Sequence, residues 1–568
     1  MSAIAWVVSA LARLYPWAVE PSEQLRDALD FLGWAVTPTH LVRAGYGAGV
    51  AVGTPLLLVV PFVPGQFRPA LGLAAVALAL SAVHLVHVAP VLAATARRTS
   101  ALGAAPDLVA RAVLSMQLSP TPERAAEFAA RTGEGVLAES LASHVRQTRH
   151  TAGSGLSAFG DAWADLFPSL RRSFALITVA GRTPDHDRHR LLDRALSVVL
   201  DGVREEMQSF AARIRAPATA LYAFGVLLPT ALVALLPAAG AAGIVVTPPV
   251  VVVLYNLLLP ALLVAASGWL LVRRPVAFPP PEVTSDHPDV PDRTALAGLS
   301  GLVAGMTAWL VAARWFPAWG PPIAALGLGC GTALVIYHRP VMAVYDRVRQ
   351  VEAGLSDALE LVGRRVANGR AVETAIADVA DDLDGEMGDV LAAGERQQRQ
   401  LQVGVDEAFL GRHGALDAVP SPRVRGSFAL LSLAGEEGRP AGAALLALAE
   451  HVEDLQRIER EARHSLAHVC RTLRSTALLF GPMVAGSTVA LADGMSAEDA
   501  LPGGSGSLTW LGGPVGVYVL VLAVLLTTLS VGLVRGFDRA LVGYRVGRAL
   551  VSATLTYLCS YLLVGTVI

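Results

Sequence analysis

Apolar and polar positions along the chain vary on two scales. On the coarse scale, nine mostly apolar stretches stand out, at about 46–64, 70–92, 218–239, 248–272, 295–313, 319–337, 475–492, 514–534 and 549–567. A helix needs about 20 such residues to cross roughly 30 Å of hydrocarbon, so each stretch predicts a transmembrane helix. Pro55, Pro229, Pro260 and Pro482 interrupt some of them, which a bundle tolerates because neighbouring helices supply the missing hydrogen bonds. On the fine scale, the polar segments 93–217 and 338–474 place apolar residues at helical spacing. LLDRALSVVLDGVREEMQSFAARIR (191–215) and ALAEHVEDLQRIEREARHSLAHVCRTLR (447–474) show it best. Each runs straight into an apolar stretch, which predicts one long helix over 191–239 and another over 447–492. Thr121 or Pro122 can start a shorter helix in LSPTPERAAEF (118–128).

Strand-like alternation is nearly absent, so the expected fold is an all-α polytopic membrane protein. About nine transmembrane helices and two homologous cytoplasmic helical-bundle domains are expected. The first dozen residues are apolar but too short to span and lack the positive start of a signal peptide. They read as an interfacial or packed helix within an N-terminal segment 1–45. Spans one and two then occupy 46–92, the first helical domain 93–217, and spans three and four 218–272. A Pro-rich acidic linker without a fixed fold covers 273–294. Spans five and six fill 295–337, the second helical domain 338–474, and spans seven to nine 475–568.

Composition supports the membrane reading and removes chemistry. Only 16% of the 568 residues are charged, against 53% hydrophobic, with mean hydropathy +0.51; soluble chains carry about 25% charged residues. All 45 basic residues are Arg. Without Lys there is neither a Walker A loop nor a Schiff-base nucleophile, so work from nucleotide hydrolysis must come from another protein. Cys330, Cys470 and Cys559 are far apart in sequence and give no metal or disulfide framework. A net charge of −2 gives no argument for nucleic acid. The arginines also orient the chain. With both polar segments inside, only Arg68 and Arg314 face out, and the outer loop 493–513 carries Asp493, Glu498 and Asp499 but no Arg. The positive-inside rule then puts the N-terminus and both domains in the cytoplasm, and the C-terminus outside the cell membrane.

The two polar segments repeat each other. SFALITVAG (173–181) and SFALLSLAG (427–435) agree at six of nine positions, behind the pairs Arg171/Arg172 and Arg423/Arg425. Each is followed by a charged amphipathic helix and a span holding Phe-Gly, at Phe224-Gly225 and Phe480-Gly481. Upstream, 107–129 and 358–379 share a layout. With SFALLSLAGEEGRPAGAALLALAEH (427–451) and PATALYAFGVLLPTALVALLP (217–237), this arrangement resembles the type II secretion system F family. It is most similar to the branch that forms platforms for archaeal type IV pili. The likeness covers roughly 100–240 and 345–495. Gly435-Glu436-Glu437-Gly438 matches a family-like element, whereas the first copy reads Gly181-Arg182-Thr183-Pro184, which implies that one copy is specialised. The resemblance implies a hexameric cytoplasmic secretion ATPase and membrane-embedded pilin subunits as partners, lipids around the spans, and a homodimer.

Other chemistry is weaker. Asp381, Asp382, Asp384, Glu386 and Asp389 can hold a divalent cation, but without EF-hand spacing they read better as a solvated connection. His186 and His189 lack a third ligand and are assigned to a polar loop. His84 and His87 sit in the inner half of a span, where snorkelling is favoured over a proton relay. Asn256 is expected to make an interhelical hydrogen bond, and GLGCG (327–331) to allow close helix packing. No catalytic, cofactor or metal site is expected. The candidate docking residues are Arg171, Arg172, Arg423, Arg425, Arg457, Arg460 and Arg463, with Glu436 and Glu437. The expected function is a non-enzymatic platform coupling a secretion ATPase to pilin insertion. A transporter with a repeated core is the alternative, and would need a polar midplane site; a scaffold that only recruits partners is the third reading.

Overall fold

The computed structural model describes residues 3–567 apart from 35, 134, 149–154, 242–246, 275–282, 284–286, 288–289, 438–440, 499–507 and 537. Among these the regular structure is helical throughout, with no strand, and nine helices are long and apolar enough to cross a membrane. Lipid tails cannot hydrogen-bond, so a chain this apolar satisfies its backbone by helix wherever it meets them. The molecule is a multi-pass membrane protein.

Helices α1 (Ala3–Ala12) and α2 (Glu23–Leu32) pack through Val8, Ala12, Leu25 and Leu29 onto α3 (Pro38–Val59). The N-terminal helix is therefore packed against the first span. The second span, α4 (Arg68–Gly103), continues into a bundle of α5 (Ala105–Leu118), α6 (Pro122–Thr132), α7 (Gly135–Thr148), α8 (Gly155–Ala162), α9 (Pro168–Ala180) and α10 (Asp185–Arg213). The third span is α11 (Arg215–Tyr222) with α12 (Leu228–Ala241), and the fourth is α13 (Pro248–Val253) with α14 (Leu259–Val272). The fifth, α15 (Thr294–Trp315), forms a hairpin with the sixth, α16 (Gly320–Ala367). A second bundle adds α17 (Val372–Asp382), α18 (Glu386–Leu401), α19 (Val405–Leu410), α20 (Pro422–Glu437) and α21 (Ala441–Ser475). The chain closes with α22 (Gly481–Glu498), α23 (Gly512–Arg535) and α24 (Arg539–Gly565).

The repeat is visible in element order: α6 to α10 in the first bundle are matched in turn by α17 to α21 in the second. Each bundle has its own core, around Phe159, Phe174 and Leu170 in the first and Phe409, Phe428 and Leu431 in the second. The long helices expected over 191–239 and 447–492 are present, continuous over His186–Leu236 and Gly442–Gly494. A further continuous helix, α16, is 48 residues long and carries the sixth span into the second bundle. Between α23 and α24 the described residues Gly536, at φ 86°, and Asp538 are non-helical. Arg539, Arg545 and Arg548 therefore lie on α24. Most of the linker 275–294 falls outside the described residues. Val283 and Val290 nevertheless pack on the second bundle, and His287 approaches Ala418 O at 3.3 Å.

Small residues close the membrane helices onto one another. A Cβ on Gly329 would lie 3.0 Å from Gly301 O and 3.2 Å from Gly305 Cα, and one on Gly547 would lie 2.7 Å from Gly331 O. The GLGCG stretch is thus a packing seam on two sides, α15 on one and α24 on the other.

Prolines have a shared consequence. Residues 223–227, 254–258 and 476–480 form π-helical turns, and each begins six residues before a proline: Pro229, Pro260 and Pro482. A proline has no N–H to give the carbonyl four residues earlier. For Pro229 that carbonyl is Gly225 O, which accepts from the Tyr518 hydroxyl of α23. For Pro482 it is Leu478 O, approached by Ser552 Oγ at 3.4 Å and Thr556 Oγ1 at 3.3 Å on α24. Tyr255 donates to Pro229 O at 2.6 Å. Its neighbour Asn256 differs from expectation: the Oδ1 atom is buried without a partner among the described residues, because the π turn aims Tyr255 at the facing backbone.

Two tests follow from this packing. Tyr518→Phe leaves Gly225 O unsatisfied and should cost about 1–2 kcal/mol of stability in detergent. In a Pro229→Ala background the restored N–H takes over, and the same substitution should cost much less; an unchanged cost would refute the exchange. Gly329→Val should cost about 1–3 kcal/mol by overpacking, whereas Gly298→Val, with open space around its Cβ, should leave the thermal midpoint nearly unchanged.

Candidate docking surface and helix junction

The candidate arginines divide by position. Arg171 and Arg172 are exposed on α9; Arg171 Nε lies 3.0 Å from Asp161 Oδ1, with the two side chains 62% and 66% exposed. Such a pair contributes about 0–1 kcal/mol and breaks readily for a partner. In the corresponding pair of the second bundle only Arg423 faces inward, and Arg425 stays exposed. Arg423 contacts Glu459 at 3.4 Å, both about four-fifths buried (20% and 18% exposed), and Arg425 donates to Leu416 O at 3.3 Å. On α21, Arg457 pairs with Glu453 at 3.2 Å and Asp454 at 3.3 Å, Arg460 donates to Gln456 O, and Arg463 pairs with Glu459. Helical spacing of three or four residues makes those pairs local. Glu436 and Glu437 end α20, and their side chains lie outside the described residues, as does Gly438.

The other candidates resolve similarly. Asp382 pairs with Arg365 and Glu386 with Arg347 at 3.0 Å, so two of the acids of 381–389 already have cationic partners. His186 and His189 are exposed in the first turns of α10, not in a loop. His87 donates from Nδ1 to Val83 O at 2.7 Å and packs edge-on against Tyr46, filling the space over Gly45. Among the described residues no group of three or more His, Cys, Asp or Glu is arranged to hold a metal ion.

Sequence reasoning passed over the residues that join the bundles. Arg111 of α5, 7% exposed, donates to Asp107 and to Thr132 O, both at 2.8 Å, and its guanidinium reaches the bare backbone of Gly426 on α20. Arg204 of α10 reaches Glu461 of α21 at 3.1 Å. Beneath these contacts, where bundles meet spans, lies a cavity lined by Arg274, Arg349, Arg423 and Arg463 and by Glu352, Glu459 and Asp538. Arg274 donates to Val534 O at 3.2 Å, and burial pulls its guanidinium down to about 10, with Cys470 and Glu459 opposing that shift and Arg463 adding to it. Asp538 caps α24 by accepting from Ala540 N at 2.8 Å and Leu541 N at 3.2 Å, and also accepts from Tyr345 of α16. One carboxylate thereby ties the sixth and ninth spans together. The sequence places Asp538 directly ahead of a helical stretch, an N-cap signal, but nothing marks its partner Tyr345, 193 residues away.

No family model, curated protein or solved structure matches this chain.

Between the bundles, outside the apolar part of the long helix, His451 is 4% exposed with both ring nitrogens unpartnered among the described residues. Burial pushes its imidazole down from 6.5 to about 4, against the pull of Asp107 and helped by Arg423. The unfolded chain then binds a proton that the folded chain refuses as pH falls from 6.5 to about 4. Stability from this residue is complete above that window and is lost on acidification, by about 3 kcal/mol in all. His451→Leu should flatten the corresponding part of the pH–stability curve; equal slopes in both proteins would contradict the assignment.

Proposed function

We propose that the protein is a non-enzymatic membrane platform for assembling a type IV pilus-like filament. In this reading it couples a hexameric cytoplasmic secretion ATPase to the insertion and extraction of pilin subunits. The observation that carries the proposal is the pair of bundles with matching element order, packed on each other and each feeding one continuous helix into the membrane. A residue in a helix rises 1.5 Å, so a displacement at the bundle end of α10 or α21 reaches the span through helix without an intervening loop. Both long helices carry their π turn and proline where the charged part gives way to apolar sequence. That placement gives each a matched point of adjustment. Both bundles are cytoplasmic in this assignment, with the N-terminus inside and the C-terminus outside, on the arginine distribution.

Pilin subunits present apolar helices, and the α15–α16 hairpin offers them a lipid-facing groove lined by Gly298, Gly301, Gly305 and Gly329 beside Leu302, Met306 and Trp309. The ATPase would meet the first bundle at Arg171 and Arg172, both on the surface, while in the second bundle Arg423 is turned inward onto Glu459. A homodimer belongs to the same reading. The transporter alternative draws on the matched Pro229 and Pro482, but the carbonyls those prolines release are already taken by Tyr518, Ser552 and Thr556, leaving less for a solute to bind.

In-cell crosslinking of the tagged chain tests the proposal. Crosslinks from the bundles to a hexameric ATPase and from α15–α16 to pilins are expected. Arg171→Glu with Arg172→Glu should abolish most ATPase crosslinking while leaving the thermal midpoint unchanged. Recovery of the chain alone or with a solute-binding partner would overturn the platform reading.

A further inference from the structure

A second cavity lies beside the junction and has a different charge balance. About 450 Å³ in volume, it is lined by Arg349 of α16, Arg474 of α21, Arg535 of α23, and Arg545 and Arg548 of α24. Its one acid, Asp346, is 3.5 Å from Arg349. The junction cavity next to it sets three carboxylates among its arginines. Here Arg474, Arg535, Arg545 and Arg548 make no ion pair or hydrogen bond among the described residues. Four like charges converging on one hollow repel one another, and each retains unused donors in a fork suited to phosphate.

Depth identifies the anion. Arg535 is the first charge after the apolar run of α23, Arg548 the last before that of α24, and Arg474 the last before the π turn at 476–480. Three neighbouring helices thus bring their terminal arginines to one level, where hydrocarbon gives way to headgroups. Below that level the lining turns apolar with scattered hydroxyls: Leu478, Val531 and Ala549, then Ser552 and Thr527. Thr527 is 4% exposed, and its Oγ1 is buried without a partner among the described residues. It stands eight residues from Arg535 on α23, about 12 Å further into the membrane. A ligand that fills the cavity therefore has an anionic head, a short polar stem and an apolar tail.

We propose that this cavity binds the phosphate-bearing headgroup of an anionic phospholipid, with Arg474, Arg535, Arg545 and Arg548 holding the phosphate and Thr527 facing the glycerol region. The lipid would brace α16, α21, α23 and α24 at the point where bundles join spans, whatever partner the bundles dock. The site is independent of the platform reading.

The full-length chain, purified in detergent and stripped of lipid, is titrated with phosphatidylglycerol, phosphatidylcholine or inorganic phosphate while its thermal midpoint is followed. Phosphatidylglycerol should raise the midpoint saturably, and the other two should not. Arg545→Gln with Arg548→Gln should weaken half-saturation about tenfold or more, whereas Arg171→Gln with Arg172→Gln should leave it unchanged. Arg474→Gln, at an exposed position, supplies a second variant that does not disturb the packing of α24 and should weaken binding in the same direction. Equal stabilisation by phosphatidylcholine, or undiminished response in both cavity variants, would overturn the proposal. A full response to inorganic phosphate would overturn the lipid source and leave a soluble phosphate anion in its place.

Discussion

A carbonyl released inside a membrane must find another donor, because the hydrocarbon around it has none. Much of this architecture follows from where those donors come from. Pro229 and Pro482 each leave one carbonyl unserved, on helices that belong to different copies of the repeat. Both are served from the α23–α24 hairpin, by Tyr518 in one case and by Ser552 and Thr556 in the other. The hairpin thereby becomes the element on which both long helices lean. Its own closure is equally polar: Tyr557 donates to Gly512 O at 2.9 Å, and Tyr561 and Thr509 share Asp493. Removing a hydroxyl here leaves a buried acceptor without a donor, which makes these contacts more consequential than their number suggests.

Charge is organised around the same hairpin. Where the bundles meet, arginines are matched by carboxylates and buried, as Arg111 is with Asp107 and Arg423 with Glu459. At the membrane boundary the matching thins, and five arginines face one hollow whose one acid, Asp346, lies beside Arg349. Arg alone serves both roles, since the chain has no Lys. A planar guanidinium keeps its charge and its fork of donors when half buried, whereas an ammonium more readily gives up its proton.

The two copies share element order but not chemistry. The SFALITVAG helix exposes both Arg171 and Arg172, while the SFALLSLAG helix turns Arg423 into its own bundle and leaves Arg425 exposed against Leu416 O. Gly426 explains part of the divergence: its missing side chain admits Arg111 from the other bundle, so α20 is an internal contact surface where α9 is an external one. A duplicated unit that packs against its own copy must lose the symmetry of its surface, because a face buried in the contact is no longer available to a partner.

The spans were legible in the sequence because the length and continuity of an apolar run are one-dimensional properties tied directly to bilayer thickness. The same holds for the bundle helices of 191–215 and 447–474, whose periodicity reports a face to be buried. The GLGCG seam was readable too, since only small residues allow such close backbones. What the sequence could not assign was the partner of each polar group. Asn256 looked like the hydrogen-bonding residue of its span, yet Tyr255 makes the bond, because the turn forced by Pro260 decides which side chain faces inward. His186 and His189 read as loop and are helix. Arg535, Arg545 and Arg548 are near one another in sequence, but they line one cavity together with Arg349 and Arg474, which no local pattern marks. Composition and periodicity determined that the chain crosses the membrane in helices and carries two related bundles. Only the packing of segments hundreds of residues apart decided which arginines are paired with carboxylates and which are not, because a charge's environment is set by its neighbours in space.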